Sequence, residues 1–323
     1  EKDTSPVQIL GPCSGATMNR AAVLADAAAV WREPPFAKLD PAFSRRCLDE
    51  SLKSWRLLER KPHPWPADPA KPGKMAYGGW WFTADYQRCR ALSAACYFRL
   101  TDDQKYHTIV KEIAATWKHL RPGEDGDMLP AIWVYLHTPG ADPELKKRLR
   151  KMVLDVGDAV VKQTGRHRGY AAGLRGYWWG SNRMVGHCGL QAVAAAELAG
   201  DAKDRARYIA AAEEFVHYLL GRNPLGLCYV TNLKALGAER SAMVAHHGWV
   251  GNANSKIGQR FVGEGDGKIG PFPGLVVGGA NGGMKKYVDE LDWRKKHSEY
   301  NEPCLTYQSP CAAMLRYVAL RSR

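Results

Sequence analysis

The chain has 323 residues, 45% hydrophobic and 24% charged, which is ample for a sizeable buried core in one large domain or two smaller ones. No apolar run reaches the roughly 18 residues that a membrane-spanning helix needs, and residues 1–12 lack the charged-then-apolar opening of a signal peptide. The net charge of +13 comes from 46 Lys+Arg against 33 Asp+Glu, scattered in short groups (146–151, 166–168, 294–296) with no nucleic-acid recognition motif, so a solvated basic surface is expected and a nucleic-acid partner is not.

Helical periodicity dominates in chain order. Residues 16–31 are Ala-rich, with Ala22, Ala25 and Ala29 on one face. Asp40-Pro41 opens a second helix running to about Glu59. A third covers 84–99. Thr101 is the expected cap of a fourth, through Leu120. A short helix falls near 127–137. Asp142-Pro143 starts the next, to about Lys162. Ser181 is the expected cap of one reaching Leu198. Helices over 203–220 and 307–321 complete a set of about nine. Strand signals are confined to 226–232 and 274–278. With no linker and no break in composition, residues 1–323 read as a single all-α domain.

The eight cysteines contain no C-x-x-C pair, and Cys47, Cys89 and Cys96 lie in apolar helical stretches. Buried free thiols are expected, and neither a metal site nor a cofactor.

Candidate chemistry sits in the loops. Gly176-Tyr177-Trp178-Trp179-Gly180-Ser181-Asn182 places three aromatics before a helix. A Gly-bounded turn cannot bury all three, so at least one should be exposed as a sugar-stacking platform, with Asn182 as a hydrogen-bond partner. The stretch 218–226 ends a helix at Gly221 and turns at Asn223-Pro224. It leads to Tyr229-Val230-Thr231 and then to His246-His247, whose side chains diverge too much to share a metal but could bind sugar hydroxyls. The Gly-rich run 273–283, with Asn281 inside it, lacks the fingerprint of a phosphate loop. Its glycines suit close approach of backbone to a substrate. Finally, Glu302 lies between Tyr300 and Tyr307, just ahead of the last apolar segment. Partial desolvation there would raise its pKa and keep a proton available for a leaving-group oxygen.

This ordered set resembles glycoside hydrolase family 9: YWWGSN, then YLLGRNPLG with YVT, then HH, then PGLVVGGAN, then NE before a terminal helix. The upstream stretches SGATMNRAAVLADAAAVW, DPAFSRRCLDESLKSW and ADYQRCRALSAACYFRLTDDQKY agree, so the resemblance covers nearly the whole chain. It implies an (α/α)6 barrel, here incomplete at its N-terminal end with about nine of the family's twelve helices. It also implies inverting, endoglucanase-like hydrolysis of β-1,4-linked glucans, in which an acid and a base stand about 6.5–9.5 Å apart. Carried over residue by residue, Glu302 takes the acid role, Tyr307 the aromatic that helps hold the water, and His246 a substrate-binding histidine. Trp179 and Asn182 take the groove-lining WGSN positions. The implied partner is a β-glycan or oligosaccharide, and the implied location is secreted or periplasmic.

The departures concern the base. Gly78-Gly79-Trp80-Trp81-Phe82-Thr83-Ala84-Asp85-Tyr86 imitates the family's GGW-x-DAGDY loop, with Phe82 in place of its first Asp and Asp85 as the base. The alternative is that the chain begins about three helices into the barrel. The base would then come from an N-terminal segment or second chain completing the barrel. Gly248 stands where the family has Arg, and Gln308-Ser309 where it has Asn-Ala. These changes motivate a second reading, a catalytically inactive glycan-binding relative. A polyanion binder, suggested by charge alone, ranks last.

Overall fold

A computed structural model describes residues 13–61, 65, 67–68, 71–75, 79–166, 170, 173–245, 271–282, 285–289 and 298–321; for 67–68, 71–75, 79–85 and 298 it describes the backbone alone. The long helices are α1 (Ser14–Trp31), α2 (Phe43–Arg60), α3 (Gly79–Thr101), α4 (Gln104–Ala115), α5 (Leu129–Leu136), α6 (Pro143–Arg166), α7 (Ser181–Leu198), α8 (Ala202–Leu219) and, after the one-turn α9 (Ser298–Asn301), α10 (Leu305–Arg321). Nine long helices among the described residues match the number read from periodicity. The one sheet among them is a small antiparallel pair, β1 (Ala67–Asp68) with β2 (Lys71–Met75). The strand signals at 226–232 and 274–278 become isolated bridges, Cys228 with Ser241 and Val230 with Val276.

Local chemistry moves several helix ends. Thr101 is not a cap: its hydroxyl donates to the Tyr97 carbonyl at 2.7 Å, so α3 runs on through it. The chain then turns at Asp102 (φ +58°), and Asp103 caps α4 by accepting from Lys105 N at 2.9 Å. Helix α4 stops at Ala115, where the Thr116 hydroxyl donates to the Ile113 carbonyl. Ser181 is the first residue of α7, not its cap. The N-cap is Gly180 at φ +77°, and the Ser181 hydroxyl is used elsewhere. Helix α3 starts at Gly79, so from that residue on the stretch aligned with the GGW-x-DAGDY loop is helical and Asp85 lies within that helix.

The residues divide into two compact units. The first comprises 2–118 and 127–150. Its α1 buries Ala21, Ala22, Ala25, Ala28 and Ala29 against α2 and α3. Small side chains let the backbones approach: the Ser51 hydroxyl of α2 donates to the Ala21 carbonyl at 2.6 Å and lies 2.6 Å from the Tyr97 hydroxyl. Trp55 packs edge-on against Tyr97 and Tyr106, at 5.3 and 5.7 Å between ring centres.

The second unit comprises Glu1, 119–126 and 151–323. Its centre is α7, in which only Arg183, Leu190 and Glu197 of 18 residues escape burial. A helix buried all round has no amphipathic stripe. Its glycines let α10 come close: a Cβ on Gly186 would lie 2.7 Å from Cys311 Sγ. Phe215 and Leu219 of α8, Tyr229, and Met314 of α10 close the core. All eight cysteines are free. Cys47 and Cys96 are buried as expected, but Cys89 is half-buried and donates to Asn19 Oδ1 at 2.8 Å.

Candidate active site

Three segments of the second unit meet around Glu302. The first, 176–182, leads into α7. Tyr177 turns inward toward Tyr218, with ring centres 6.4 Å apart, and its hydroxyl accepts from Leu174 N. Trp178 and Trp179 stay 52% and 53% exposed, as a Gly-bounded turn requires. The Trp178 ring lies over Gly176, where any side chain would collide with it. Gly180 lies against Tyr307, whose hydroxyl would be 2.7 Å from a Cβ there.

The second segment, 276–280, is a non-helical rail of backbone. Its carbonyls are held by the start of α7: Asn182 Nδ2 donates to Val277 O at 2.8 Å, Asn182 N to Gly278 O at 3.0 Å, and the Ser181 hydroxyl to Ala280 O at 2.8 Å. On its other side, Val277 N donates to Tyr229 O at 3.1 Å. The third segment, 298–308, carries α9, Glu302 and the start of α10. It joins the rail through Gly279 N, which donates to Tyr300 O at 2.8 Å.

Glu302 is half-buried, and Trp179 Nε1 donates to its Oε2 at 2.8 Å. An exposed ring of the sugar-platform type is thus tied directly to the candidate acid. Burial foremost, then Cys304 and the Glu302 carboxylate, push the Tyr307 phenol up to about 12, so it remains neutral and able to donate over the physiological range.

The other predicted residues fall differently. Asn182 is fully buried and its amide is used on the rail, so it positions backbone instead of facing a groove. Tyr300 is also buried, near Tyr287 and under the Lys286 ammonium. Asn281 is half-buried, pairs through its backbone with Lys286, and keeps a buried Oδ1 with no hydrogen-bond partner among the described residues. His246 and His247 lie outside the described residues, as does the side chain of Asp85.

Two further residues stand out: Asp289, which sequence reasoning passed over, and Gln308, which it noted only as standing where the family has Asn. Asp289 accepts from Met243 N (2.8 Å) and Val244 N (3.0 Å), shortly before the histidine pair, and burial raises its carboxyl above the usual range. Gln308 brackets Val276 with its side-chain amide. Asp289 lies in a charged stretch with no sequence signal, and the Gln308 substitution gave no hint that its amide would hold backbone. Among the described residues no group of three or more His, Cys, Asp or Glu could hold a metal ion, and no helix is long and apolar enough to cross a membrane.

A carboxyl held by an indole beside two exposed tryptophan rings, on a largely helical frame, is an arrangement that suits contact with a carbohydrate. Residues 2–315 match the model of Glycosyl hydrolase family 9, and the chain belongs to that family. It is 25% identical over 285 residues to Endoglucanase D of Acetivibrio thermocellus, covering 86% of this chain and 41% of that one. It is 23% identical over 308 residues to a cellulose 1,4-beta-cellobiosidase of the same organism, covering 87% of this chain and 31% of that one. The fold matches a metagenome-derived glycoside hydrolase family 9 endoglucanase with a TM-score of 0.71 at 25% identity, over 95% of this chain and 52% of that one. It also matches a family 9 protein of Bacteroides ovatus at 0.75 and 20% identity, over 100% of this chain and 57% of that one. The fold is therefore that of the (α/α)6-barrel enzymes. The chain spans half or less of the length of the curated relatives it matches.

Proposed function

We propose that this chain carries the acid half of an inverting, endoglucanase-like site that hydrolyses β-1,4-glycosidic bonds in a glucan-type polysaccharide. The observation that supports this most is the Trp179–Glu302 hydrogen bond, which joins a stacking ring to a proton donor. In the reaction the Glu302 O–H gives its proton to the glycosidic oxygen as the bond to the anomeric carbon breaks. A second carboxylate takes a proton from the water that attacks from the opposite face. Asp85 is the candidate base within the chain. The other source is an N-terminal segment or a second chain that completes the barrel. Trp178 and Trp179 offer apolar faces to sugar rings, Tyr307 a neutral hydroxyl, and His246 and His247 hydrogen bonds to sugar hydroxyls. The family resemblance favours a secreted or periplasmic location.

The test is release of reducing ends from soluble β-1,4-glucan by the full gene product and by its Glu302→Gln variant, with cellooligosaccharide binding followed by calorimetry. Loss of the acid should slow turnover by about 10²–10⁴-fold with binding retained. Equal rates for the two proteins would end the acid assignment. Phe82, standing where the family has its first Asp, favours the second reading of an inactive glycan-binding relative. Binding without any release by the wild type would select that reading.

A further inference from the structure

We propose that Gln308 is a positioning residue for Glu302, an inference that rests on reading Glu302 as the acid. Val276 N donates to Gln308 Oε1 at 2.8 Å, and Gln308 Nε2 donates to Val276 O at 2.6 Å. The side-chain amide thus makes the reciprocal pair that a neighbouring strand would make at a hydrogen-bonded position of an antiparallel ladder. The other edge of this stretch is already paired: Thr231 N donates to Leu275 O at 2.9 Å and Val277 N to Tyr229 O at 3.1 Å. Val276 is buried, so its N–H and carbonyl would stand unpaired and dry without Gln308.

The consequence for Glu302 follows from chain order. The segment carrying it is attached to the rail at two points, Tyr300 O on Gly279 N before it and the Gln308 amide on Val276 after it. Gly278 lets the first junction close, since a Cβ there would lie 3.0 Å from Tyr300 O. The rail in turn is held by Ser181 and Asn182, two and three residues after Trp179. Glu302 and its indole partner therefore belong to one closed circuit of three segments. Release of Gln308 loosens one end of the arc, which Tyr307 and Cys311 still pack against α7, and lets the carboxylate shift from the Trp179 N–H. The position demands an amide: leucine supplies neither bond, and an ionised glutamate accepts from Val276 N but sets its charge against Val276 O.

The experiment is ¹⁵N NMR of the indole N–H of Trp179, assigned by Trp179→Phe, together with steady-state kinetics, in Gln308→Leu and Gln308→Glu. We expect the indole resonance to move to the position it takes in Glu302→Leu, which has no acceptor, with kcat falling about tenfold or more at nearly unchanged KM, as for a misplaced catalytic group. Circular dichroism checks folding, and Gln308→Glu, which keeps one of the two bonds, serves if the leucine variant does not fold. A folded variant with wild-type indole resonance and kcat would overturn the proposal. If Glu302→Gln is as active as wild type, the acid reading fails instead, while the indole resonance still reports whether Gln308 holds the pair together.

Discussion

At the scale of single residues, the rail depends on glycines whose role is geometric. Gly279 has φ +101°, and a Cβ there would lie 2.6 Å from Asn182 Oδ1 and 2.7 Å from Ser181 Oγ. Gly237 has φ +92° with nothing within 4 Å. Gly237→Ala should therefore carry only the left-handed backbone strain of about 1–2 kcal/mol. Gly279→Ala should lose clearly more, because strain and collision add. Urea unfolding of the two variants measures the difference, and equal midpoints would show that the rail yields easily. Residue identity announced part of this site. The exposed tryptophans followed from three aromatics in a Gly-bounded turn, and Glu302 from a carboxyl set among aromatic residues. The burial of Asn182 and Tyr300 was not legible, because a polar side chain next to a site reads alike whether it faces substrate or holds backbone.

At the scale of elements, capping is where sequence and structure can be compared most directly. Asp142 was read as opening α6, and its Oδ1 accepts from Leu145 N at 2.9 Å while its Oδ2 accepts from Lys111 Nζ at 2.8 Å. The Lys111 bond foremost, then the backbone bond from Leu145, lower its carboxyl to about 2 from the ordinary 3.8. A carboxyl depressed in the folded state contributes stability that is complete above the unfolded value and is lost as pH falls toward the folded one. Wild-type stability should accordingly fall between pH 4 and 2 more steeply than that of Asp142→Asn, which can still cap but cannot titrate. Urea midpoints at several acid pH values test this, and parallel slopes would remove Asp142 from the account. Gly221 also behaves as read, at φ +123° just after α8. Thr101 and Ser181 do not, because each hydroxyl found a carbonyl instead, Tyr97 O for one and Ala280 O for the other. A sequence names the residues that can cap but not the acceptor they reach.

At the scale of the whole molecule, the charge of +13 is the property most open to misreading. Many of its cations face carboxylates, as in Arg46–Asp40, Arg20–Glu50, Lys111–Asp142 and Arg207–Asp158. Among the described residues such interleaving offsets part of the positive charge locally. Retention on heparin should be weak and lost near physiological ionic strength, where screening acts over about 8 Å. Binding that persists in about 0.5 M salt would instead mark a polyanion site. The sequence by itself determined the helical class, the number of long helices among the described residues, the family and the aromatic neighbourhood of Glu302, since periodicity and ordered motifs are local properties of the chain. Tertiary structure alone decided that Trp179 donates to Glu302, that Asn182 faces inward, and that Gln308 closes the edge of the rail. Those contacts join residues 32 to 123 positions apart. Only the packed chain chooses among the partners that such side chains could take.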